Sequence, residues 1–509
     1  MKVEKTTKSM GEVEVTMEEL INQMKALKTG KAPGPDGLKP SIYKALIKSD
    51  KFLKCLRNSL NEILNVGQVP DSWKLSNTIL IPKVNRPKVG EFRPIALTDI
   101  SYKLLMGILK GKIEKHLIKT GEINDCQTGA TSNRRVTENV FIVSYLINKC
   151  KLAKKDLFIL SIDFRKAYDS IDRFKMIEVL KEFKIHPKII NLVAHIYSND
   201  KTNIFLNSKL ISNIEITSGI RQGCNLSGLL FILVTYKIIE KINKLNLGVS
   251  IDDNKFNSLF YMDDALLVVK DKFKIHEIIN RIGYISSYYG LQLNKEKCKL
   301  IMFNFKNDLD LDEICEQQVI NNKTTPWING VQVVDRIKYL GVFINNDVNC
   351  FKSQKEKNFD SIIKYKNQTW GILGNCCNRL LIGKTFWKGL VLPNILFAND
   401  VITYNKAEIE KLQKADNCVY RIILNLPIYT AISFLRGEIG ATSSMGRDIK
   451  SKLLFVKHSL EDNKNQIVKS IMDKELGSSK LTWFKKVNKY LKLIASEATR
   501  RRRRRRSGA

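Results

Sequence analysis

Apolar residues recur at helical spacing near the start of the chain, at Leu20, Ile21, Met24 and Leu27. This period predicts an amphipathic helix. Thr16 and Glu19 precede it with the spacing of a capping box, and Gly30 is a typical helix end. The Pro- and Gly-rich segment Gly30–Gly37 then predicts a tight turn, after which a helical stretch runs to about Asn65.

Short apolar runs in the middle of the chain predict β-strands. The run Leu157–Asp163 is typical of a buried strand, and it ends in an acid. Five other runs have a similar character: Thr78–Lys83, Leu259–Tyr261, Ala265–Val269, Leu300–Phe303 and Tyr339–Ile344. After about Asn345 the pattern is largely helical as far as Leu493. This mixture predicts an α+β fold with helices on one face of a sheet.

The charge balance indicates a polyanionic partner. The 509 residues include 85 Lys and Arg against 51 Asp and Glu, a net charge of +34. Only seven of these cations lie in the run Arg500–Arg506, so most of the excess belongs to the rest of the chain. So basic a surface repels itself unless a polyanion lies against it, and nucleic acid is the first candidate and an anionic membrane the second.

Two observations favour an intracellular protein without a membrane anchor. The N-terminus lacks the apolar stretch of a signal peptide, and the run Leu229–Val234 is far shorter than the roughly 18 residues of a membrane span. The ten cysteines are scattered without the spacing of a zinc site, so we expect reduced and mostly buried thiols.

Three aspartates are placed as candidate metal ligands. Asp163 ends a predicted strand, and Asp263 and Asp264 lie between two apolar strand runs, where a hairpin turn is expected. Adjacent acids repel each other unless a cation lies between them. If the Asp163 strand pairs beside this hairpin, three carboxylates converge and suit Mg²⁺. The alternative is a plain surface turn, as at Asp252-Asp253, for which we predict no role.

These acids belong to a series of blocks that resembles the reverse transcriptases of non-LTR (LINE-type) retrotransposons. Nine blocks occur in the order of that family: Gly30–Gly37, Ile81–Lys83, Phe92–Leu97, Cys126–Ala130, Ile162–Ile171, Ser218–Ser227, Phe260–Asp264, Gly290–Lys297 and Tyr339–Val342. No block is specific alone, but nine in order are hard to obtain by chance. The resemblance covers most of the chain, from about Thr16 to Gly440.

The resemblance implies a right-hand polymerase with fingers, an antiparallel palm sheet, a thumb and a helical C-terminal region. We expect an N-terminal extension and fingers in residues 1–157, a palm in 158–345 with part of the fingers interleaved, a thumb and C-terminal extension in 346–495, and a disordered Arg-rich tail in 496–509. For the tail, a nuclear address, an RNA-gripping segment and an accident of a decayed frame all remain open.

The resemblance also assigns residues to the chemistry. Asp163, Asp263 and Asp264 would be catalytic and would bind two Mg²⁺ ions, with Mn²⁺ as a substitute, and the backbone carbonyl of Phe164 would lend an oxygen. Met262, between Tyr261 and these acids, departs from the Ala common in this family. The departure removes no metal ligand.

Five further residues would form the nucleotide site. Lys83 and Arg93 would contact the incoming triphosphate, unless they are ordinary solvated cations. Tyr168 would be a steric gate against a ribose 2′-hydroxyl or, equally, a core aromatic residue. Gln222 and Gly223 would line the pocket, with Gly223 letting the backbone approach the base pair.

The template loop and the thumb are less typical of the family. Asn225, in the block Ser218–Ser227, and Gly228, directly after it, replace two prolines common in the family, which would loosen the loop that grips the template base. In the predicted thumb, cations mix with the rings of Phe386, Trp387, Tyr404 and Tyr420, and we expect most of these rings to be core. The cations expected to bind nucleic acid are Lys388, Lys411 and Arg421.

Together these features predict an RNA-directed DNA polymerase that uses an RNA template, a DNA primer and dNTPs, in the nucleus or in a cytoplasmic ribonucleoprotein. The chain shows no endonuclease blocks, so we expect either a fragment of a longer element, with an endonuclease encoded elsewhere, or a decayed copy. One alternative is a decayed protein that only binds nucleic acid. An RNA-dependent RNA polymerase is another, and Tyr168 argues against it.

Overall fold

The computed structural model describes residues 9–88, 90–131, 133–304, 315–320, 323–374, 376–462 and 465–506. The α-helices are α1 Met17–Ala26, α2 Pro40–Ala45, α3 Asp50–Val66, α4 Ile100–Thr120, α5 Val136–Leu152, α6 Ala167–Ser170, α7 Arg173–Glu182, α8 Pro187–Tyr197, α9 Ser227–Lys244, α10 Ile275–Ser287, α11 Lys352–Leu373, α12 Arg379–Phe386, α13 Leu392–Ile395, α14 Lys406–Leu424, α15 Ile432–Ile439, α16 Ser444–Lys457, α17 Gln466–Glu475 and α18 Thr482–Arg506.

The strands alternate with these helices through the first 345 residues. They are β1 Leu75–Pro82, β2 Phe92–Leu97, β3 Leu157–Ile162, β4 Lys201–Leu206, β5 Lys209–Glu215, β6 Val249–Ile251, β7 Asn254–Phe256, β8 Ser258–Tyr261, β9 Asp264–Val269, β10 Lys299–Phe303, β11 Glu316–Ile320, β12 Lys323–Ile328, β13 Val331–Val333, β14 Arg336–Tyr339 and β15 Val342–Asn345. The short 3₁₀ and π turns are Leu46–Lys48, Asp71–Lys74, Lys272–Lys274, Trp387–Val391 and His458–Asp462.

The chain forms two compact units, and each is assembled from three separate stretches. The first unit comprises residues 1–131, 162–246 and 276–297, and the second comprises 132–161, 247–275 and 298–509. These stretches interleave in the sequence, whereas we expected contiguous fingers, palm and thumb with only part of the fingers interleaved. The predicted boundaries at 157, 345 and 495 stay predictions.

The first unit contains a four-stranded sheet in the order β2-β1-β4-β5, in which β1 pairs antiparallel with β2 and parallel with β4. Helix α9 forms much of the core of the first unit. The apolar residues of this helix lie on all of its sides and are buried. The run Leu229–Val234 lies in this helix. No helix in the described ranges combines the length and apolar character that crossing a membrane requires.

The second unit contains a seven-stranded sheet in the order β11-β12-β13-β10-β3-β9-β8. Strand β3 lies inside this sheet, and residues 157–160 are buried in succession, as expected for a strand covered on both faces. The pairs β3–β10 and β8–β9 are antiparallel, as predicted. One pair differs, because β13 is parallel to β10. Strands β11, β12 and β13 form an antiparallel meander. Its last strand, β13, runs in the same direction as β10 and pairs with it.

The start of the chain follows its local sequence signals closely. Thr16 and Glu19 form the predicted capping box, which confirms the start of α1. The helix ends at Ala26 rather than at Gly30, because Leu27 already has an extended backbone conformation. Gly34 fits a tight turn, since a Cβ there would lie 2.5 Å from the backbone of Asp99.

Two predicted segments differ from the structure. The run Tyr339–Ile344 is not one strand but the hairpin β14–β15, turned by Leu340 and Gly341, which both have positive φ. The tail predicted to be disordered from residue 496 continues α18 as far as Arg506. Arginine has a high helix propensity, which favours extension of a helix that has already formed. Residues 507–509 of that tail lie outside the described residues.

Candidate active site

A two-residue turn places Asp263 and Asp264 at the tip of the hairpin β8–β9. Tyr261 lies opposite Asp264 across the strand pair, so Met262 and Asp263 form the turn. Met262 has a φ of 57°, a left-handed conformation that costs a residue with a Cβ about 1–2 kcal/mol. Both aspartates are exposed, whereas residues 265–269 behind them are buried. A buried apolar strand therefore anchors two acids that face solvent.

The seven-stranded sheet sets the strand that leads to Asp163 beside this hairpin. Strand β9 lies between β8 and β3. Asp163 directly follows β3, and Asp264 is the first residue of β9. The pairing on which the predicted convergence depends is therefore present in the sheet. The meeting of the three carboxylates stays a prediction.

The backbone around Phe164 is fixed by a short ladder with the segment after α10. The Arg165 N–H donates to the Gln292 carbonyl, and the Asn294 N–H donates to the Asp163 carbonyl, both at 2.8 Å. Phe164 is the bridging residue between these two bonds. In an antiparallel ladder a residue in this position directs its own N–H and carbonyl to the opposite side. The carbonyl of Phe164 therefore points away from the ladder, as its predicted role in metal binding requires.

The predicted donors suit magnesium chemically. The carboxylates of Asp163, Asp263 and Asp264 and the carbonyl of Phe164 are hard oxygen ligands, which Mg²⁺ prefers. Over the described ranges, no group of three or more His, Cys, Asp or Glu side chains is arranged to hold a metal ion. The magnesium centre therefore stays a prediction that rests on the donor chemistry.

In the first unit, Gln222 is held from two sides. Its side-chain amide donates to Asp169 Oδ1 at 3.1 Å, and its backbone carbonyl accepts a hydrogen bond from the Ala96 N–H at 2.7 Å. Ala96 belongs to β2, so the segment of Gln222 is tied to the four-stranded sheet. Asp169 was not predicted as a site residue, although it lies only six residues after Asp163.

Gly223 allows the backbone to approach strand β2. Its φ is 116°, and a Cβ at this position would lie 2.7 Å from the carbonyl oxygen of Ala96. Only glycine fits both conditions without displacing the strand. The close approach seen in the structure is thus to the sheet, and the predicted approach to a base pair stays a prediction.

Lys83 and Gln222 both affect the carboxylate of Asp169. Burial raises the pKa of Asp169, while the hydrogen bond from Gln222 and the positive charges of Lys166 and Lys83 act in the opposite direction. The positive charge of Lys83 thus acts on the carboxylate of Asp169. Lys83, Asp169 and Gln222 therefore share one polar region of the first unit.

Of the two cations predicted to contact the triphosphate, Arg93 lies in β2 and Lys83 directly follows β1. Arg93 lies opposite Ile81 in the register, and the backbone N–H of Lys83 donates to the Glu91 carbonyl at 2.9 Å. Both side chains are exposed. Their position at the strand pair β1–β2 suits a shared phosphate ligand, but the contact with a triphosphate stays a prediction.

Tyr168 combines features of both interpretations made from the sequence. Its ring stacks in parallel on Phe231 of α9, with 4.9 Å between the ring centroids. Phe231 is fully buried, whereas Tyr168 is half-buried. The Tyr168 carbonyl also accepts a hydrogen bond from the Ile220 N–H at 2.8 Å. One face of the ring thus packs on the core and part of the ring is accessible, and the steric gate stays a prediction.

An ion cluster that we did not predict fixes the segment that precedes Gln222. Asp200 is fully buried, and it accepts hydrogen bonds from Arg221 at 2.7 Å and from Arg173 at 2.8 Å. Arg173 also donates to the Gly219 carbonyl at 2.8 Å. The residues of this cluster are 21 to 48 positions apart in pairs, so no local pattern signals them.

Each of the three predicted thumb cations contacts a group of the second unit. Lys388 donates to the Gly440 carbonyl (3.1 Å), Lys411 lies over the Phe359 ring (4.3 Å from the centroid) and Arg421 donates to the Thr430 carbonyl (3.3 Å). Trp387, Tyr404 and Tyr420 are buried, which confirms that these rings are core. A role of the cations in binding nucleic acid stays a prediction.

Comparison with known proteins identifies the family. Residues 81–344 match the reverse transcriptase (RNA-dependent DNA polymerase) family, and this segment is just over half of the chain. The chain belongs to this family. Membership confirms the predicted α+β polymerase fold and accounts for eight of the nine blocks, since those from Ile81 to Val342 lie within the matched segment.

The relatives are polyproteins of retrotransposable elements. The chain is 26% identical over 325 residues to the retrovirus-related Pol polyprotein of a type-1 R2 element from Nasonia vitripennis, which covers 62% of this chain and 30% of the relative. It is 28% identical over 273 residues to the corresponding R2 protein of Bradysia coprophila, covering 53% and 30%. These matches confirm the resemblance to non-LTR retrotransposon reverse transcriptases. The matched part is under a third of each relative's length.

Among solved structures, the chain is similar to telomerase from Candida tropicalis in complex with a TWJ fragment of telomeric RNA. The two chains share 14% identity, and the alignment covers 86% of this chain and 68% of the telomerase chain. The TM-score is 0.40.

Proposed function

We propose that this chain is the RNA-directed DNA polymerase of a non-LTR retrotransposon and extends a DNA 3′-hydroxyl on an RNA template. One observation carries the proposal. The strand before Asp163 lies beside the strand that begins at Asp264, in a chain that belongs to the reverse transcriptase family. Acids on neighbouring strands are the arrangement that two-metal nucleotidyl transfer needs.

The acids would hold the ions that this chemistry uses. When bound, two Mg²⁺ ions roughly 4 Å apart stabilise the attacking and the leaving oxygen of a phosphoryl transfer. Asp163, Asp263 and Asp264 would hold them with the carbonyl of Phe164. Mn²⁺ accepts the same oxygen ligands and would serve as a substitute.

The first unit would bind the incoming dNTP. Lys83, directly after β1, and Arg93, in β2, are both exposed and would neutralise the triphosphate, Arg93 through its planar fork of donors. Gln222 and Gly223, fixed against β2, would form the floor of the nucleotide pocket. The accessible part of the Tyr168 ring would exclude a ribose 2′-hydroxyl.

The remaining partners follow from the charge of the chain. RNA template and DNA primer are polyanions, and a net charge of +34 favours them, with Lys388, Lys411 and Arg421 as candidate contacts in the thumb. We propose that an endonuclease domain encoded elsewhere in the element supplies the primer end. Access to chromosomal DNA would then require a nuclear location.

Primer extension on an RNA template tests the proposal, with Asp263→Ala as the variant and Asp253→Ala as the matched control. Both aspartates lie at the second position of a two-residue hairpin turn. We expect the Asp263→Ala chain to lose incorporation by about 1,000-fold, a loss of about 4 kcal/mol of transition-state stabilisation. The control should stay within twofold of the unsubstituted protein.

RNA affinity, measured on the same proteins, separates the outcomes. Unchanged affinity with lost incorporation in Asp263→Ala supports catalysis by this carboxylate. Incorporation that survives the substitution would place catalysis elsewhere. Tight RNA binding without any incorporation by the unsubstituted chain would overturn the polymerase proposal and leave a protein that only binds nucleic acid.

A further inference from the structure

The catalytic hairpin lies at the edge of its sheet. Strand β8 is the last of the seven strands, so it pairs with β9 on one side only. The backbone groups on the open side of an edge strand need partners from side chains or water. In this structure two buried side chains from outside the sheet supply hydrogen bonds to β8.

Asn139 on α5 uses both of its amide hydrogens in this region. Its Nδ2 donates to the Phe260 carbonyl at 3.0 Å and to the Tyr339 hydroxyl at 3.0 Å. Phe260 is the second residue before the turn that carries Asp263. Since the amide of Asn has two donor hydrogens, this donor capacity is fully used.

Tyr339 completes the contact with β8. Its hydroxyl accepts from Asn139 and lies 3.5 Å from the Leu259 carbonyl, to which it donates. Burial raises the pKa of this hydroxyl, so it stays protonated and able to donate at neutral pH. Two successive carbonyls of β8, those of Leu259 and Phe260, are thus held by one pair of side chains.

We propose that Asn139 and Tyr339 form a hairpin clasp, a pair of positioning residues that fixes the edge strand β8 and thereby the turn with Asp263 and Asp264. The clasp would act through the backbone, without touching metal or substrate. As a mechanism for metal binding it rests on the proposed function. Its effect on the hairpin itself does not.

The energetics of Asn139 support a positional role. Asn139 is fully buried, and its Oδ1 has no hydrogen-bond partner among the described residues. A buried acceptor without a hydrogen bond destabilises the folded state, so an apolar residue of similar volume would fill this place at lower cost. What an apolar residue cannot provide is the two donated hydrogen bonds to Phe260 and Tyr339.

The chain contains a chemically matched pair in the same unit. Asn358 on α11 donates from its amide to the Tyr404 hydroxyl at 2.8 Å, and both side chains are buried. Asn358 lies in α11 and Tyr404 lies two residues before α14, and the hydrogen-bond partners of Asn358 are Gln354 and Tyr404, outside β8 and β9. It therefore controls for the general cost of losing a buried bond between asparagine and tyrosine.

Hydrogen exchange followed by mass spectrometry tests the clasp on the full chain. The variants are Tyr339→Phe and Asn139→Leu, with Tyr404→Phe and Asn358→Leu as controls. We expect amides in residues 258–269 to exchange about tenfold faster in the first two variants, because each loses one buried hydrogen bond to β8 and the bond between Asn139 and Tyr339. The controls should leave this segment unchanged and loosen α11 instead.

A second measurement tests the expected effect of the clasp on metal binding by Asp263 and Asp264. We expect Tyr339→Phe to bind Mn²⁺ several-fold more weakly, measured by electron paramagnetic resonance, and to need a correspondingly higher Mg²⁺ concentration for half-maximal incorporation. The KM for dNTP should stay unchanged. A merely structural defect would instead lower activity at every Mg²⁺ concentration.

The outcomes separate the clasp from the polymerase proposal. If the unsubstituted chain incorporates no dNTP, the proposed function fails, but hydrogen exchange still decides on the clasp. If Tyr339→Phe, which removes a single oxygen, leaves exchange in residues 258–269 at the level of the controls, the clasp is wrong. Tyr339→Phe gives this answer even if Asn139→Leu does not fold.

Discussion

Two hairpins of the second unit, β6–β7 and β8–β9, are closely similar in local chemistry and differ in their surroundings. Each has a two-residue turn whose first residue is left-handed, Asp252 with a φ of 52° and Met262 with a φ of 57°. Each carries two adjacent aspartates. Strands β6 and β7 form a sheet of their own, however, whereas β9 is an inner strand of the seven-stranded sheet.

The acids of the hairpin β6–β7 are paired with side chains outside that hairpin. Asp252 accepts a hydrogen bond from the Tyr145 hydroxyl and lies 3.9 Å from the Lys149 ammonium, and Asp253 forms an ion pair with Lys474. Two adjacent aspartates therefore become a candidate site because of the strands that lie beside their hairpin, and not because of the turn that carries them.

The largest expected difference is catalytic. We expect the double variant Asp263→Asn, Asp264→Asn to lose RNA-templated dNTP incorporation by at least 1,000-fold, because amides are poorer Mg²⁺ ligands than carboxylates. The double variant Asp252→Asn, Asp253→Asn should stay within threefold. Equal losses of dNTP incorporation in both double variants would mean that the position of β9 inside the seven-stranded sheet does not distinguish the two hairpins in catalysis.

The next largest effect concerns the left-handed backbone. Gly223→Ala adds a Cβ at a φ of 116° and 2.7 Å from the Ala96 carbonyl, so we expect unfolding to become easier by about 2–3 kcal/mol and the KM for dNTP to rise about tenfold. Gly111→Ala is the control, because this position is helical and nothing lies within 4 Å of the added atom. Chemical denaturation and steady-state kinetics measure both. A Gly223→Ala chain as stable as the control would exclude the close approach.

A smaller effect compares the two left-handed turn residues directly. We expect Met262→Gly to raise the free energy of unfolding by about 0.5–1 kcal/mol, since glycine adopts a positive φ without strain. Asp252→Gly should lower it by a similar amount, because Asp tolerates this conformation better and its contacts with Tyr145 and Lys149 are lost. Urea denaturation of both variants gives the signs, and equal signs would contradict the comparison.

The smallest expected effect is that of salt on the ion pair of Asp253. The Asp253 side chain is 87% exposed, so its pair with Lys474 should contribute at most about 0.5 kcal/mol at low ionic strength. We expect Lys474→Gln to lower stability by this amount in 20 mM salt and by nothing measurable in 1 M salt. A salt-independent loss would indicate a packing role of the Lys474 side chain.

The sequence predicted those parts of the fold that local patterns encode. Strands β3, β8 and β9 lie within one residue of the apolar runs, because each run is bounded by an acid or a polar residue. The hairpin β14–β15 was not predicted because its turn residues are Leu340 and Gly341. Leu340 is itself apolar, so a single glycine is the only break in the apolar run. A turn of that kind leaves almost no compositional signal.

The candidate site was predictable only as far as its motifs. Its three aspartates followed from their placement and from the family resemblance. Contacts between distant residues left no trace in the local sequence, as with Asn139 and Tyr339, which are 200 positions apart, or Arg221 and Asp200. Such pairs depend on how sheets and helices come together, which no pattern of neighbouring residues records.

The division of the chain into interleaved stretches has a consequence for its synthesis. The first unit draws on residues as late as 297, and the second begins before 162 and ends with the C-terminal helix. Synthesis therefore has to proceed at least as far as residue 297 before the first unit has all of its stretches. Early stretches such as β1 and α5 are synthesised well before the later segments that complete their units.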